Sequence, residues 1–174
     1  MSWSQPVSGS LYSIPGPWTG GLFIVTRPRG GDWLEDEVRS WARAGMSVLV
    51  SLLEPAEETE FGLTKEAELC RASGIEFYSF PILDRGVPAS RDETVKLVRE
   101  LEGRLTAGKS VGIHCRQGIG RSGLIAACLL VSTGELPTTA FTRISQVRGH
   151  QVPETTEQRE WVEAFAPQIG TTRH

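Results

Sequence analysis

Short apolar runs recur along the chain and are rich in β-branched and aromatic residues. Two of them lie near its start, around Leu11–Ile14 and Leu22–Thr26. Three more follow, with the sequences SVLVSLL, IEFYSFPI and KSVGIH. Each run is too short for an ordinary helix and is bounded by Gly, Pro or polar residues, so the pattern predicts five strands.

The segments between these runs have the apolar spacing and the end signals of helices. Asp32 stands at the N-cap position of the first predicted helix, which ends at Gly45. Thr64 begins the second, which ends at Gly74. The acidic segment EPAEETEF, residues 54–61, is predicted to be a solvated loop.

The second half of the chain predicts four more helices. Ser90 caps a long one, whose apolar face contains Val95, Leu97, Val98, Leu101 and Leu105. The segment SGLIAACLLVST is apolar on nearly all sides, which predicts a buried central helix. Pro137 opens the next helix, to about Arg148, and Pro153 opens the last, through Phe165. Because strands alternate with helices, we expect an α/β fold with a mostly parallel sheet.

Length, composition and charge narrow the class of protein. With 174 residues, 39% hydrophobic and 22% charged, the chain is predicted to form one domain over residues 1–174, its core roughly residues 11–166. A net charge of −3 predicts neither a nucleic-acid nor a membrane partner. No apolar run approaches the roughly 20 residues of a membrane span.

The cysteines and histidines indicate neither disulfides nor a metal. The three cysteines are odd in number and include no C-x-x-C pair, and the three histidines lack ligand spacing, so no metal or cofactor is expected. The first ten residues, MSWSQPVSGS, lack the basic and apolar regions of a secretory signal. These features favour a reducing cytoplasm.

The segment HCRQGIGRSG, residues 114–123, joins a predicted strand to a predicted helix. Ligands of open α/β sheets bind just beyond the carboxyl ends of strands. Gly118, Gly120 and Gly123 allow a tight turn whose N–H groups point inward. Together with a helix N-terminus, such a loop is suited to bind a phosphate-like anion.

Three side chains of this segment fit phosphoryl transfer. Cys115 lies where positive potential favours the thiolate, which makes it a nucleophile. Arg121 has the planar geometry to bind two phosphate oxygens at once. The Ser122 hydroxyl is placed to hydrogen-bond the sulfur and help it leave.

Competing interpretations fit the segment less well. Cys70 and Cys128, on predicted helices, are interpreted as small buried hydrophobic residues. A P-loop nucleotide site is excluded because no GK[ST] follows the glycines. A rhodanese-like sulfurtransferase also has a cysteine in an anion loop, but the G-x-x-R-S spacing fits it poorly.

HCRQGIGRSG resembles the H-C-x5-R-[ST] signature of the cysteine-dependent protein tyrosine phosphatase superfamily. The segment PILDRGVP resembles the general-acid loop of its compact dual-specificity branch, and RGHQVPETTEQREWVEAF resembles that branch's C-terminal segment. The resemblance implies a two-step phosphatase with a central sheet flanked by helices on both faces. Its phosphate-binding loop would consist of His114, Cys115, Arg116, Gln117, Gly118, Ile119, Gly120 and Arg121.

The resemblance also assigns roles outside the loop. A leaving alkoxide or phenoxide needs a proton as it departs, and Asp84 matches the family's general acid. Gln158 matches the glutamine that positions the attacking water, whereas its polar surroundings in sequence would suit a solvated helix face. His114 matches the residue that orients the loop. Arg116 is a further cation for the mouth of the pocket, with Arg27, Arg29 and Arg85 as possible additions that are also typical of ordinary surface residues.

The sequence therefore predicts a phosphatase of phosphotyrosine, with phosphoserine and phosphothreonine as further substrates. One alternative is a phosphatase of a non-protein substrate, such as a phosphoinositide or an RNA 5′ phosphate. Another is a pseudophosphatase that binds a phosphorylated partner without turnover.

Overall fold

A five-stranded sheet forms the centre of the computed structural model, which describes residues 11–171. The strands are β1 (Leu11–Ile14), β2 (Leu22–Val25), β3 (Met46–Ser51), β4 (Glu76–Ser79) and β5 (Ser110–His114). Their order across the sheet is β1-β2-β5-β3-β4. Only β1 runs antiparallel to its neighbour, so the predicted mostly parallel sheet is confirmed.

Seven α-helices connect and cover the strands. They are α1 (Leu34–Arg43), α2 (Pro55–Glu60), α3 (Glu66–Ala72), α4 (Arg91–Thr106), α5 (Gly120–Ser132), α6 (Pro137–Arg148) and α7 (Thr156–Thr171). Side chains of successive strand residues point to opposite faces of the sheet. Helices pack against both of these faces. In β2, Phe23 packs with α1 and α3, whereas Ile24 packs with the cluster that contains α4 to α7. The predicted helices on both faces are confirmed.

The central helix α5 is buried at every position, as its apolar sequence predicts. Ser90 caps α4 as expected, since its side chain accepts a hydrogen bond from the N–H of Glu93 at 3.2 Å. Helix α6 begins at Pro137 and ends before Gly149, which has a positive φ of 71°.

Three predicted helix starts are wrong. Asp32 lies inside a short 3-10 turn, Gly31–Trp33, and caps nothing; α1 begins only after that turn. Thr64 lies in a turn before α3, in which the N–H of Glu66 donates to the carbonyl oxygen of Leu63. The helix itself begins at Glu66, directly after Lys65.

The third wrong start concerns the last helix, α7, which Pro153 does not open. It begins at Thr156 and extends beyond Phe165 to Thr171. Thr155 and Gln158 form a reciprocal capping box there, in which each side chain accepts a hydrogen bond from the other's N–H at 3.1 Å.

The predicted solvated loop of residues 54–61 is also wrong, because most of this segment is the helix α2. It begins at Glu54–Pro55 with a capping box between Glu54 and Glu57. The segment MSWSQPVSGS, for which no secretory signal is predicted, covers residues 1–10 and lies outside the described residues.

Candidate active site

The carboxyl ends of the four parallel strands meet at one edge of the sheet, and the candidate site lies there. The segment after β5 contains Cys115, and the segment after β4 contains Asp84. Helix α2 follows β3, and Arg27 follows β2. Residues distant in sequence are therefore brought to a single edge.

The loop after β5 has the strand, turn and helix order that the sequence predicts. Cys115 follows β5 directly and is 2% exposed. Gly118 has a φ of 71°, a conformation that favours glycine. A Cβ on Gly123 would lie 2.3 Å from Cγ1 of Val152, so glycine permits close packing here. The first turn of α5 has N–H groups without intrahelical partners, and its partial positive charge favours an anion.

Arg121, in the first turn of α5, is buried and fixed. Its Nη1 and Nη2 donate to the two carboxylate oxygens of Glu57 at 2.7 and 2.9 Å, and Nη1 also donates to the carbonyl of Ile82 at 2.9 Å. Burial alone would lower the pKa of this guanidinium, but the hydrogen bonds to Glu57 and the nearby charge of Cys115 raise it. The Nε–H and one Nη2–H lie outside these bonds, which matches the geometry of two phosphate oxygens.

Glu57 is the residue that holds Arg121, and sequence reasoning missed it. It lies on α2, where its Oε1 also accepts a hydrogen bond from the N–H of Glu54 at 3.0 Å. Burial acts to raise the pKa of Glu57, yet the hydrogen bonds from Arg121 and Glu54 outweigh it and lower the pKa. The pattern Glu54-Pro55-x-Glu57 is a helix-start signature that could have revealed the helix, although not its partner.

Arg148, at the end of α6, supports the loop from behind and was also missed. Its Nε donates to the carbonyl of Gly118 at 2.7 Å, and its Nη2 to the carbonyl of Gln117 at 3.2 Å. The guanidinium lies over the ring of Tyr12, 3.9 Å from its centroid. These two hydrogen bonds fix the carbonyl groups of Gly118 and Gln117. Nothing in the sequence around Arg148 indicates this contact.

His114 is fully buried at the end of β5. Its Nε2 lies 2.8 and 3.0 Å from the two carboxylate oxygens of Glu66, on α3, and its Nδ1 lies 3.5 Å from the carbonyl oxygen of Cys115. The resemblance predicts a supporting role for His114. Glu66 carries no sequence signal beyond its place on an amphipathic helix.

Asp84 lies across the cleft from the loop, in a turn after β4. Its carboxylate is 3.3 Å from Nη2 of Arg121 and 3.8 Å from Nη1 of Arg116. The side chain is 46% exposed, which leaves it accessible to a bound molecule. The structure thus brings together Asp84, Arg121 and Cys115 in one cleft.

Gln158 is fully buried, so the solvated helix face that its sequence context suggests is wrong. Its Oε1 accepts from the N–H groups of Glu154 and Thr155, both at 3.1 Å. Its Nε2 donates to the carbonyl of Gly86, in the turn that contains Asp84, at 3.0 Å. Gln158 therefore connects the turn that contains Asp84 to the start of α7. Orientation of a water by this side chain stays a prediction.

The Ser122 hydroxyl is buried, and no hydrogen-bond partner lies near it within residues 11–171. A buried hydroxyl without a partner is uncommon in proteins. The predicted hydrogen bond to the sulfur of Cys115 is not formed in this structure, and the role of Ser122 in the reaction stays a prediction.

The cleft has a volume of about 300 Å³, and Arg116, Gln117 and Glu154 contribute to its wall. Arg116 lies at its mouth, 5.2 Å from the ring centroid of Phe61, and Arg27 packs on the same ring at 3.6 Å.

Two further arginines, Arg85 and Arg29, differ in their position relative to the cleft. Arg85 lines the cleft and pairs with Glu154 at 2.8 Å. Arg29 pairs with Glu37 at 2.8 Å and is fixed away from the cleft.

Across residues 11–171, His, Cys, Asp and Glu side chains form no group of three or more arranged to hold a metal ion. None of the helices in the same range combines the length and the apolar character that crossing a bilayer requires.

Comparison with known families identifies the class. The family described as "Polymorphic toxin system, DSP-PTPase phosphatase" matches residues 25–135. The chain therefore belongs to the DSP-PTPase phosphatases, and the resemblance seen in its motifs is confirmed.

Individual relatives agree with this family. The mouse protein tyrosine phosphatase domain-containing protein 1 is 36% identical over 140 residues, which are 74% of this chain and 18% of that protein. The chain thus spans less than a fifth of the length of this curated relative.

Solved structures share the fold. A crystal structure of kinase associated phosphatase with its catalytic cysteine replaced by serine superposes with a TM-score of 0.87, at 19% identity, and covers 98% of this chain and 99% of that one. The active form of Tk-PTP has a TM-score of 0.72 at 26% identity, over 94% and 97% of the two chains.

Proposed function

We propose that this chain is a protein phosphatase that hydrolyses phosphotyrosine, with phosphoserine and phosphothreonine as further substrates, through a phosphocysteine intermediate. One observation carries the proposal: Cys115, Arg121 and Asp84 line the same cleft, with the guanidinium fixed by Glu57. A nucleophile, an anion-binding group and a proton donor are the three functions that phosphomonoester hydrolysis requires.

In the first step, the Cys115 thiolate attacks phosphorus while the bond to the leaving oxygen breaks. Asp84 gives its proton to that oxygen, so the leaving group departs as an alcohol or phenol. Arg121 and the loop N–H groups stabilise the charge on the other phosphate oxygens. The Asp84 carboxylate lies 3.3 Å from Nη2 of Arg121, so a bound phosphate would compete with this carboxylate for the cation.

In the second step, water attacks the phosphocysteine and the sulfur–phosphorus bond breaks. The Asp84 carboxylate accepts the proton of the water, and Cys115 departs as a thiolate. Gln158 orients the water, and the Ser122 hydroxyl donates a hydrogen bond to the departing sulfur. Phosphate is released, and both residues return to their starting protonation.

The cellular setting belongs to the same proposal. All three cysteines are free thiols, and the two outside the loop, Cys70 and Cys128, are buried. Free thiols together with a thiolate nucleophile fit a reducing compartment, and we propose that the protein acts in the cytoplasm. We also propose that the chain folds as one catalytic domain.

Hydrolysis of a small aryl phosphate between pH 5 and 8 tests the mechanism. Cys115→Ser should abolish turnover. Asp84→Ala should lower kcat by about 10²-fold or more and remove the basic limb of its pH profile, because the protonated acid is lost. Asp92→Ala, which changes an exposed aspartate on α4, is the matched control and should leave both unchanged.

The substrate class is tested separately with phosphotyrosine and phosphoserine peptides, a phosphoinositide and RNA with a 5′ phosphate. Higher kcat/KM on the peptides supports the proposal. Higher kcat/KM on the phosphoinositide or the RNA contradicts the protein substrate. If the reduced protein binds vanadate but hydrolyses no phosphomonoester, it is a pseudophosphatase and the proposed enzyme is wrong.

A further inference from the structure

Glu66 is a buried carboxylate for which the proposed reaction assigns no function. It lies on α3 and is 2% exposed. Its two oxygens lie 2.8 and 3.0 Å from Nε2 of His114, which is itself fully buried. Burying an isolated carboxylate is costly unless a partner compensates its charge, and His114 is the partner that the fold supplies.

Both ring nitrogens of His114 face acceptors. Nε2 faces the Glu66 carboxylate, and Nδ1 faces the carbonyl oxygen of Cys115 at 3.5 Å. A neutral imidazole has a single N–H, so it satisfies one acceptor and turns a lone pair toward the other. The doubly protonated ring presents an N–H to each. The contacts therefore fit an imidazolium–carboxylate pair with its cation on the side of the loop.

Two other titratable groups, Glu58 and Cys70, lie near the pair. Glu58, on α2, has its pKa raised by burial and then by the negative charge of Glu66. Burial, again with Glu66, raises the pKa of Cys70 on α3 to about 12. Trp41, on α1, contributes an uncharged ring 6.5 Å from the imidazole.

We propose that Glu66 is a positioning residue that holds His114 as an imidazolium, with its positive ring toward Cys115. The pair as a whole is neutral, but its cation lies nearer to Cys115 than its anion does. This arrangement stabilises the thiolate of Cys115 and orders the backbone beside it. The inference relies on the proposed function only for the identity of the nucleophile.

The rate of alkylation of Cys115 by iodoacetamide, followed by peptide mass spectrometry from pH 4 to 9, tests the proposal. Glu66→Gln removes the charge but keeps the size, so the thiolate should form at higher pH. We expect about a tenfold lower rate at pH 6, which corresponds to a shift of about one pH unit. Glu68→Gln, two residues away on the exposed side of α3, should leave the profile unchanged.

A conservative variant separates positioning from packing. Glu66→Asp keeps the charge, so it should retain more of the low-pH reactivity than Glu66→Gln does. In a His114→Asn background, Glu66→Gln should have no further effect, because the charge acts through the imidazole. If Glu66→Gln lowers only the Tm and leaves the alkylation profile as it was, Glu66 is structural and the proposal is wrong.

A measurement on the unmodified protein decides the matter if the variants do not fold. With ¹⁵N-labelled histidine, NMR at neutral pH should show both ring nitrogens of His114 protonated. One unprotonated nitrogen there would overturn the proposal. Neither alkylation nor NMR depends on turnover, so an inactive protein with these properties would refute the proposed function and leave the role of Glu66 standing.

Discussion

The loop after β5 and the turn that contains Asp84 (the Asp84 turn) face each other across one cleft, but they are held in different ways. The loop is supported by buried groups, among them Arg121 at 2% exposure and the fully buried His114. Asp84 is 46% exposed, and its neighbour Arg85 forms an ion pair whose side chains are 61% and 30% exposed. Removing one partner of a buried ion pair is strongly destabilising, whereas an exposed ion pair contributes little to the free energy of unfolding.

This difference fits the roles that we propose for the two parts. Groups that stabilise charge in a transition state act best when they are fixed before the reaction. Asp84, the proposed proton donor, must reach the oxygen of whatever leaving group is bound, and an exposed turn permits that adjustment. Arg85, in this turn, has a φ of 60°, a conformation that is uncommon outside glycine. We expect the largest losses of stability and activity from changes to the buried residues that support the loop, and the smallest from changes beside the Asp84 turn.

Among the residues that support the site, Glu57→Gln should have the largest effect, because it removes the carboxylate that is paired with the buried Arg121. We expect the free energy of unfolding to fall by about 3 kcal/mol, with a loss of roughly 10²-fold in kcat. Urea denaturation and aryl phosphate kinetics measure the two effects. Glu35→Gln, which removes a carboxylate from an exposed ion pair with Arg39 on α1, is the control, and an equal loss in both variants would contradict the role of Glu57.

Arg148→Met should come next, because it leaves the carbonyls of Gly118 and Gln117 without their donor. We expect about 2 kcal/mol less stability and about tenfold weaker inhibition by vanadate. Arg143→Met changes an arginine of the same helix that pairs with Glu135, outside the cleft, and should leave vanadate inhibition unchanged. Unaltered inhibition in Arg148→Met would show that the loop keeps its shape without this support.

The pH dependence of stability should sharpen the contrast. The pKa of Glu57 is lowered from its ordinary value of 4.5, so the folded state binds the proton more weakly than the unfolded state. Its contribution is complete above pH 4.5 and is lost as the pH falls through the lowered pKa. The Tm of the unmodified protein should therefore drop more steeply below pH 4.5 than that of Glu57→Gln, and parallel curves would contradict this.

Glu154→Gln should have the smallest effect, because it breaks only the exposed pair with Arg85. We expect a loss of less than about 1 kcal/mol in stability, measured by urea denaturation. The kcat should change by less than about threefold, since Gln158 still holds the turn through Gly86. A loss as large as that of Glu57→Gln would show that the two sides of the cleft are held alike.

Much of the architecture could be predicted because its signals are local. The five strands and the buried helix α5 follow from short-range apolar patterns. The predicted helix starts at Asp32, Thr64 and Pro153 are wrong because each of these residues lies before its helix, in a segment with a different backbone conformation. The capping box of Thr155 and Gln158 was present in the sequence and would have corrected the last of these.

The sequence by itself determined which reactive side chains share the loop, because Cys115, Arg121 and the glycines lie within a few residues, and a strand followed by a helix confines them to one turn. Only the tertiary structure decided what surrounds these side chains. Glu57, Glu66 and Arg148 reach the loop from 64, 48 and 30 residues away. Each is a charged residue on a helix, a pattern typical of a solvated surface. Parallel strands ending at one edge of the sheet bring these helices together, and burial then requires that every charge has a partner.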